Sequence, residues 1–196
     1  KSENIHIRYL DMGGGLGITY NDEQPPELTE YAAGIADSLK DFPVTLILEP
    51  GRVIIGNAGV LVTQTLYRKT GSEKDFVIVD AAMNDLIRPA MYGAYHDIVP
   101  VLEPAPGVEL RPFDIVGPVC ESGDYLAQDR PFPDVEPGDL IAVMTAGAYG
   151  AVQACTYNTR LLVPEVLVNG ERYALIRPRQ SYDELIGLDR LAAWQQ

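Results

Sequence analysis

A thiol stands beside a carboxylate at Cys120-Glu121-Ser122-Gly123-Asp124, a glycine-bearing turn after the apolar run 113–119. A thiol gives up a proton, a carboxylate holds an ammonium, and the glycine lets backbone take positive φ close to a ligand. The usual alternative for a free cysteine is burial as a small hydrophobe. Gly13-Gly14-Gly15-Leu16-Gly17 offers backbone N–H groups to an anion with no side chains in the way. A phosphate cradle and a tight turn both use such residues. Glu49-Pro50-Gly51-Arg52 sets an acid, a fixed turn and a base in succession. A carboxylate there can pair with a protonated ring nitrogen and hold its pKa up. Arg52 can fork onto a carboxylate or phosphate, or the two can form an internal pair. Arg88 and Tyr92 stand four apart, on one face of any helix they share, and their donors suit a carboxylate. An arginine packed on a solvated tyrosine is the plainer reading. Tyr149, in Ala-Gly-Ala-Tyr-Gly, has neighbours too small to bury it. Its hydroxyl either faces a ligand or joins the core.

These groups need elements to hold them. Residues 5–11 alternate in polarity and run into the glycine cluster, as a strand entering a tight loop does. Leu28, Tyr31, Ala32, Ile35 and Leu39 have helical spacing within residues 27–40, and the apolar 44–48 reads as a short strand typical of a parallel sheet. Strand, loop, helix, strand is a βαβ unit, expected to belong to an α/β barrel with its working residues at the C-terminal strand ends. From about Gly59 the pattern changes to short strands, predicted at 60–69, 76–80, 97–102, 113–120, 140–145, 164–168 and 172–176. They imply an all-β barrel or sandwich. Helical turns are expected at 84–91 and 148–156, and a terminal helix over 182–194. The fold class is therefore α/β plus all-β, with domains over 1–58 and 59–196.

Composition narrows the function. A formal net charge of −13 over 196 residues argues against a nucleic-acid surface. Cys120 and Cys155 make no disulfide framework, and free thiols fit a reducing, cytoplasmic setting. His6 and His96 show no metal-ligand spacing. The charge-free span 140–159 is too rich in Gly, Thr, Gln and Asn for a membrane helix. The chain opens Lys-Ser-Glu-Asn, without Met or a signal-peptide pattern, and is expected to be a piece of a longer protein.

The order and combination of the motifs are more specific than any one. Gly-Gly-Gly-Leu-Gly-Ile, Glu-Pro-Gly-Arg, Met-Asn-Asp-Leu-Ile-Arg-Pro-Ala-Met-Tyr, Gly-Pro-Val-Cys-Glu-Ser-Gly-Asp and Ala-Gly-Ala-Tyr-Gly follow one another along the chain. Together they resemble the alanine-racemase-like (fold type III) pyridoxal-phosphate decarboxylases, across essentially all residues. Glu121 after the cysteine resembles the diaminopimelate branch more than the ornithine or arginine branches. The resemblance implies the C-terminal half of such an enzyme: the last part of a (β/α)8 TIM barrel and its β domain, in a cytoplasmic homodimer. It implies pyridoxal 5'-phosphate as cofactor and meso-diaminopimelate decarboxylation to L-lysine as reaction. By resemblance Gly13, Gly14, Gly15, Gly17, Gly51 and the Arg52 backbone hold the phosphate, Glu49 faces the ring nitrogen, and Tyr149 closes over cofactor and substrate. Arg52, Arg88 and Tyr92 then bind the distal carboxylate. Glu121 binds the distal ammonium, and Cys120 protonates the carbanion, both reaching into the partner subunit's site.

The chain departs from that pattern at the lysine that forms the cofactor Schiff base. The family's lysine lies early in the barrel, and none of Lys1, Lys40, Lys69 or Lys74 has its context. Neither His6 nor His96 matches the histidine that packs on the cofactor ring. The isolated chain is therefore expected to form no Schiff base and to turn over no substrate. Decarboxylation of another basic or diamino acid (ornithine, arginine, carboxynorspermidine) and a non-catalytic binding or regulatory domain are the alternatives.

Overall fold

A computed structural model describes residues 6–195. Strand β1 (Tyr9–Asp11) pairs in parallel with β2 (Thr45–Ile47), Leu10 opposite Leu46, and helix α1 (Leu28–Leu39) connects them. The expected βαβ unit is present over the described residues; its predicted first residue, Ile5, lies outside them. Ile35 is the buried residue of α1, at the centre of its apolar stripe. Pro43 follows the helix and stops it.

A four-residue helix α2 (Arg52–Ile55) and a 3-10 turn (Gly56–Ala58) lead into a six-stranded sheet. Its strands are β3 (Leu61–Thr70), β4 (Asp75–Val79), β5 (Ile98–Pro100), β6 (Leu110–Val116), β7 (Tyr125–Pro133) and β8 (Leu140–Val143), in the order β5-β8-β3-β4-β6-β7. The sheet curls into a nearly closed barrel. Its two edges approach where Arg130 on β7 donates to the His96 carbonyl at 2.9 Å, just ahead of β5. Val77, Val79, Phe113, Ile115, Leu126, Phe132, Ile141 and Val143 fill the interior. Removing each such side chain from water stabilises the fold by roughly 1.5–3 kcal/mol. A hairpin of β9 (Glu165–Asn169) and β10 (Arg172–Arg177) stands apart from this sheet.

Three expectations need correction. Strand β7 is absent from the predicted strands, and it carries Pro131 and Pro133. As the last strand of the sheet, β7 has no ladder on its outer side for those prolines to interrupt, and Asp129 takes positive φ where the register shifts. The strand predicted at 113–120 runs from Leu110 to Val116 and gives way to a turn at Gly117. The terminal helix predicted over 182–194 is only α4 (Tyr182–Ile186). It opens on a Ser181/Glu184 capping box and ends at Gly187, and a 3-10 turn follows at Ala193–Gln195. The helical turns are also short: α3 (Arg88–Tyr92) overlaps the end of 84–91 and runs one residue past it, and a 3-10 turn Ala151–Gln153 lies within 148–156.

Candidate functional site

The glycine loop leaves β1 and is held against the loop leaving β2. The Glu49 amide donates to the Gly13 carbonyl at 2.8 Å, and a Cβ on Gly14 would stand 2.4 Å from the Glu49 carbonyl oxygen. Only glycine permits that approach. Gly13 and Gly15 turn the chain at φ +67° and +86°, and Asp11 Oδ1 accepts the Gly13 amide at 2.7 Å. That amide is therefore committed within the protein. Among the described residues, the amides of Gly14, Gly15 and Gly17 have no protein acceptor. Gly14, Gly15, Leu16, Gly17, Glu49, Pro50, Gly51, Arg52 and Tyr149 line one cleft of about 350 Å³. Segments far apart in the chain thus converge, with an exposed carboxylate and a guanidinium at the same opening. No Glu49–Arg52 ion pair forms.

Beside this cleft lies a cluster around Tyr20. The Arg52 guanidinium carbon is 5.9 Å from the Tyr20 ring centre and 5.4 Å from that of Tyr149. Arg88 stands over Tyr20 at 4.8 Å. His96 is fully buried and meets Tyr20 edge-on, with ring centres 5.4 Å apart. Its Nδ1 lies 2.9 Å from the Met144 carbonyl and its Nε2 2.9 Å from Arg88 Nη1. A carbonyl only accepts and a guanidinium only donates, so Nδ1 carries the proton and Nε2 accepts. Burial, opposed by the Met144 bond and reinforced by Arg88 and Arg130, holds the His96 pKa below its ordinary value, so the ring is neutral. Glu23 fixes the turn after Tyr20 by accepting the Tyr20 and Asn21 amides at 2.9 and 2.8 Å. Backbone amides, that of Asn21 foremost, hold its carboxyl below the usual range.

The ion pairs set these arginines apart. Arg68, Arg111, Arg130, Arg160 and Arg177, all half-buried, each pair with a carboxylate. Arg52 is half-buried and Arg88 is 7% exposed, yet neither has an acid partner among the described residues. A buried cation held only by a neutral imidazole and an aromatic face is set up to receive an anion. Tyr92, one turn after Arg88, is 61% exposed, so α3 places one donor inward and the other in solvent.

The thiol turn lies elsewhere. Cys120 and Glu121 are exposed, Cys120 is unbridged, and neither lines the glycine cleft. Exposure removes the simple reading of Cys120 as a core residue. Asp124 holds the turn from below: Oδ1 accepts the Met83 amide at 2.7 Å and Oδ2 the Val119 amide at 2.6 Å. Its own burial raises the Asp124 pKa, and those two amides oppose the rise. Tyr157 Oη reaches Glu121 Oε2 at 3.5 Å. The approach to α3 is braced in a similar way. Asn84 bonds Asp85, Arg160 and the Cys155 carbonyl, and burial again raises the Asp85 pKa above the ordinary value.

Sequence reasoning assigns no role to Tyr20, His96, Asp124 or Asn84. Tyr20, three residues beyond the last glycine of the cluster, carries the clearest signal: a large aromatic just after a glycine-rich loop. The described residues contain no metal-binding cluster of His, Cys, Asp or Glu, and no helix long and apolar enough to cross a membrane.

Comparison with known proteins agrees with this geometry. Residues 18–147 match the family model described as pyridoxal-dependent decarboxylase, C-terminal sheet domain. The chain is 50% identical over 190 residues to a diaminopimelate decarboxylase of Vibrio cholerae, covering 96% of this chain and 45% of that protein. It superposes on the crystal structure of diaminopimelate decarboxylase from Helicobacter pylori complexed with L-lysine with TM-score 0.85 and 42% identity, covering 92% of this chain and 44% of that one. Against the lysine/ornithine decarboxylase of Vibrio vulnificus complexed with cadaverine the TM-score is 0.68 and the identity 27%, over 77% of this chain and 40% of that one. The chain spans less than half the length of the relatives it matches. It belongs to the pyridoxal-dependent decarboxylases and carries their C-terminal sheet domain.

Proposed function

We propose that this chain supplies the phosphate, ring-nitrogen and substrate-carboxylate contacts of a pyridoxal-phosphate-dependent decarboxylase that converts meso-diaminopimelate to L-lysine. The observation that carries the reading is the pair Arg52 and Arg88, inward arginines without an acid, beside a glycine-lined cleft. In this reading residues 1–58 end a (β/α)8 TIM barrel and 59–196 form the C-terminal β domain. The earlier part of the enzyme supplies the Schiff-base lysine.

The residues present fit the cofactor. The uncommitted amides of Gly14, Gly15 and Gly17, with those of Gly51 and Arg52, would hold its phosphate in a cleft that side chains would otherwise fill. The exposed Glu49 carboxylate at the same cleft would keep a proton on its ring nitrogen. Bound there, pyridoxal phosphate would supply an electron sink for the pair left behind as CO₂ departs. Arg88, with Arg52 and Tyr92, binds the carboxylate at the non-reacting end, and Tyr149 closes over the cleft. Gly13 shapes the turn and leaves the anion to its neighbours. Glu121 grips the distal ammonium, and Cys120 Sγ delivers a proton to the carbon that has lost CO₂. That both stand away from this chain's own cleft supports their serving the cleft of a second subunit in a homodimer.

An arginine pair plus an acidic grip selects a substrate carrying both charges at its far end. The enzyme containing this chain, loaded with pyridoxal phosphate, should release CO₂ from meso-diaminopimelate with kcat/KM at least about 100-fold above that for ornithine or arginine. Equal rates on ornithine, or no release from diaminopimelate, would overturn the assignment.

A further inference from the structure

We propose that Tyr20 and His96 are positioning residues for the carboxylate site, holding Arg88 and Arg52 in the orientation that captures the substrate. The proposal rests on the function proposed above and names residues that function leaves unused.

Arginine side chains have many rotamers, and a guanidinium with no acid partner has little to choose among them. Here two such groups share one ring. Tyr20 presents its π surface to Arg88 at 4.8 Å and to Arg52 at 5.9 Å, so one side chain from the loop after the glycines registers both cations. His96 fixes the depth of Arg88. Its Nδ1–H is anchored on the Met144 carbonyl, just after β8, which turns the Nε2 lone pair onto Arg88 Nη1. Only one guanidinium nitrogen is consumed, which leaves the Arg88 fork donors for a ligand. The Tyr20 hydroxyl is buried without a hydrogen-bond partner among the described residues. Both arginine contacts of Tyr20 come from its ring.

These arrangements order four variants of the enzyme that contains this chain. Tyr20→Leu removes both ring contacts, and His96→Leu frees Arg88. Each should raise KM for diaminopimelate about tenfold or more while kcat changes less than about threefold. Tyr20→Phe keeps the ring, and His96→Gln keeps one acceptor and one donor, so both should stay within about threefold of the parent in KM. A fold defect would lower the active fraction and hence kcat, without this split. Pimelate, the same dicarboxylate without amino groups, gives a second readout as a dissociation constant by calorimetry, in the same order. If the parent releases no CO₂ from diaminopimelate, the proposed function fails and the positioning is still decided by pimelate. Should Tyr20→Leu not fold, Tyr20→Met carries the same test without a π face. Unchanged affinity in both Leu variants, or a Tyr20→Phe loss as large as that of Tyr20→Leu, overturns the proposal.

Discussion

Replacing Asp124 by Asn tests whether the thiol turn works by position. Asp124 is 4% exposed, and its two oxygens accept the Met83 and Val119 amides at 2.7 and 2.6 Å. Asn has one carbonyl oxygen, so one of those amides would face an NH₂ group instead. A buried donor without an acceptor costs about 1–3 kcal/mol. Part of that is offset because the native carboxylate is itself buried and poorly solvated. The net loss should be about 1–2 kcal/mol, small enough for the protein to stay folded. The effect on chemistry should be larger. Val119 immediately precedes Cys120, and a shift of the turn by a fraction of an ångström displaces both Sγ and the Glu121 carboxylate. Reacting groups misplaced by about 1 Å lose about 100-fold in rate. Steady-state kinetics on the folded variant should show kcat falling about 10- to 100-fold, with Tm falling a few degrees. Asp134→Asn is the control: that exposed carboxylate pairs with Arg68 and Arg111, and its loss should cost under about 1 kcal/mol and leave kcat alone. An Asp124→Asn enzyme with parental kcat would refute the view that the turn positions the proton donor.

Other expectations follow from the same contacts. Cys120→Ala should lower kcat about 100-fold or more with little change in KM, measured as lysine formed; unimpaired turnover would remove Cys120 as the proton donor. Gly14→Ala should weaken pyridoxal-phosphate retention about tenfold or more, followed by visible absorbance on dilution, because its Cβ would meet the Glu49 carbonyl oxygen at 2.4 Å. Gly13→Ala, with nothing within 4 Å of the added carbon, should cost only the roughly 1–2 kcal/mol of its left-handed backbone. Equal losses in the two glycine variants would mean that the crossing of the loops does not matter. The folded-state pKa of His96 lies below its unfolded value of about 6.5, so the unfolded chain binds the extra proton. The stability that neutral His96 contributes is complete above about pH 6.5. It is lost as the pH falls towards the folded-state pKa, at up to about 1.4 kcal/mol per unit. Denaturant midpoints between pH 7 and pH 5 should fall more for the parent than for His96→Gln, and parallel curves would contradict the neutral assignment.

Residue types that carry charge or remove side chains are legible in the amino-acid sequence itself. Glycines at a strand end, Glu-Pro-Gly-Arg at the next one and the Cys-Glu turn announce themselves by composition over a few positions. What they meet is not legible there. His96 and Tyr20 are 76 positions apart in the sequence, and only the passage from the βαβ unit into the barrel brings their rings to 5.4 Å. His96 has no metal-ligand spacing to single it out, although the geometry that occupies both its nitrogens makes it an anchor. Strand β7 and the short α4 show the same limit. Whether Pro131 breaks a strand depends on whether that strand lies at an edge, and whether residues 187–194 continue a helix depends on Gly187 and on what buries Leu188 and Leu191. Both of those leucines stay exposed, at 88% and 65%.

The charge balance of the chain bears directly on Arg88. Asp and Glu outnumber Lys and Arg by 28 to 15, so acid partners are plentiful, and the half-buried Arg68, Arg111, Arg130, Arg160 and Arg177 have each taken one. Leaving Arg88 buried without one costs free energy that a single nearby carboxylate would recover. The structure instead holds it with groups that orient a cation without neutralising it, an imidazole held neutral and a tyrosine ring that it shares with Arg52. A purely structural arginine has no use for that arrangement. It suits a site whose negative charge arrives with the ligand, and in the proposed enzyme it would tie the affinity for a substrate carboxylate to residues that never touch it.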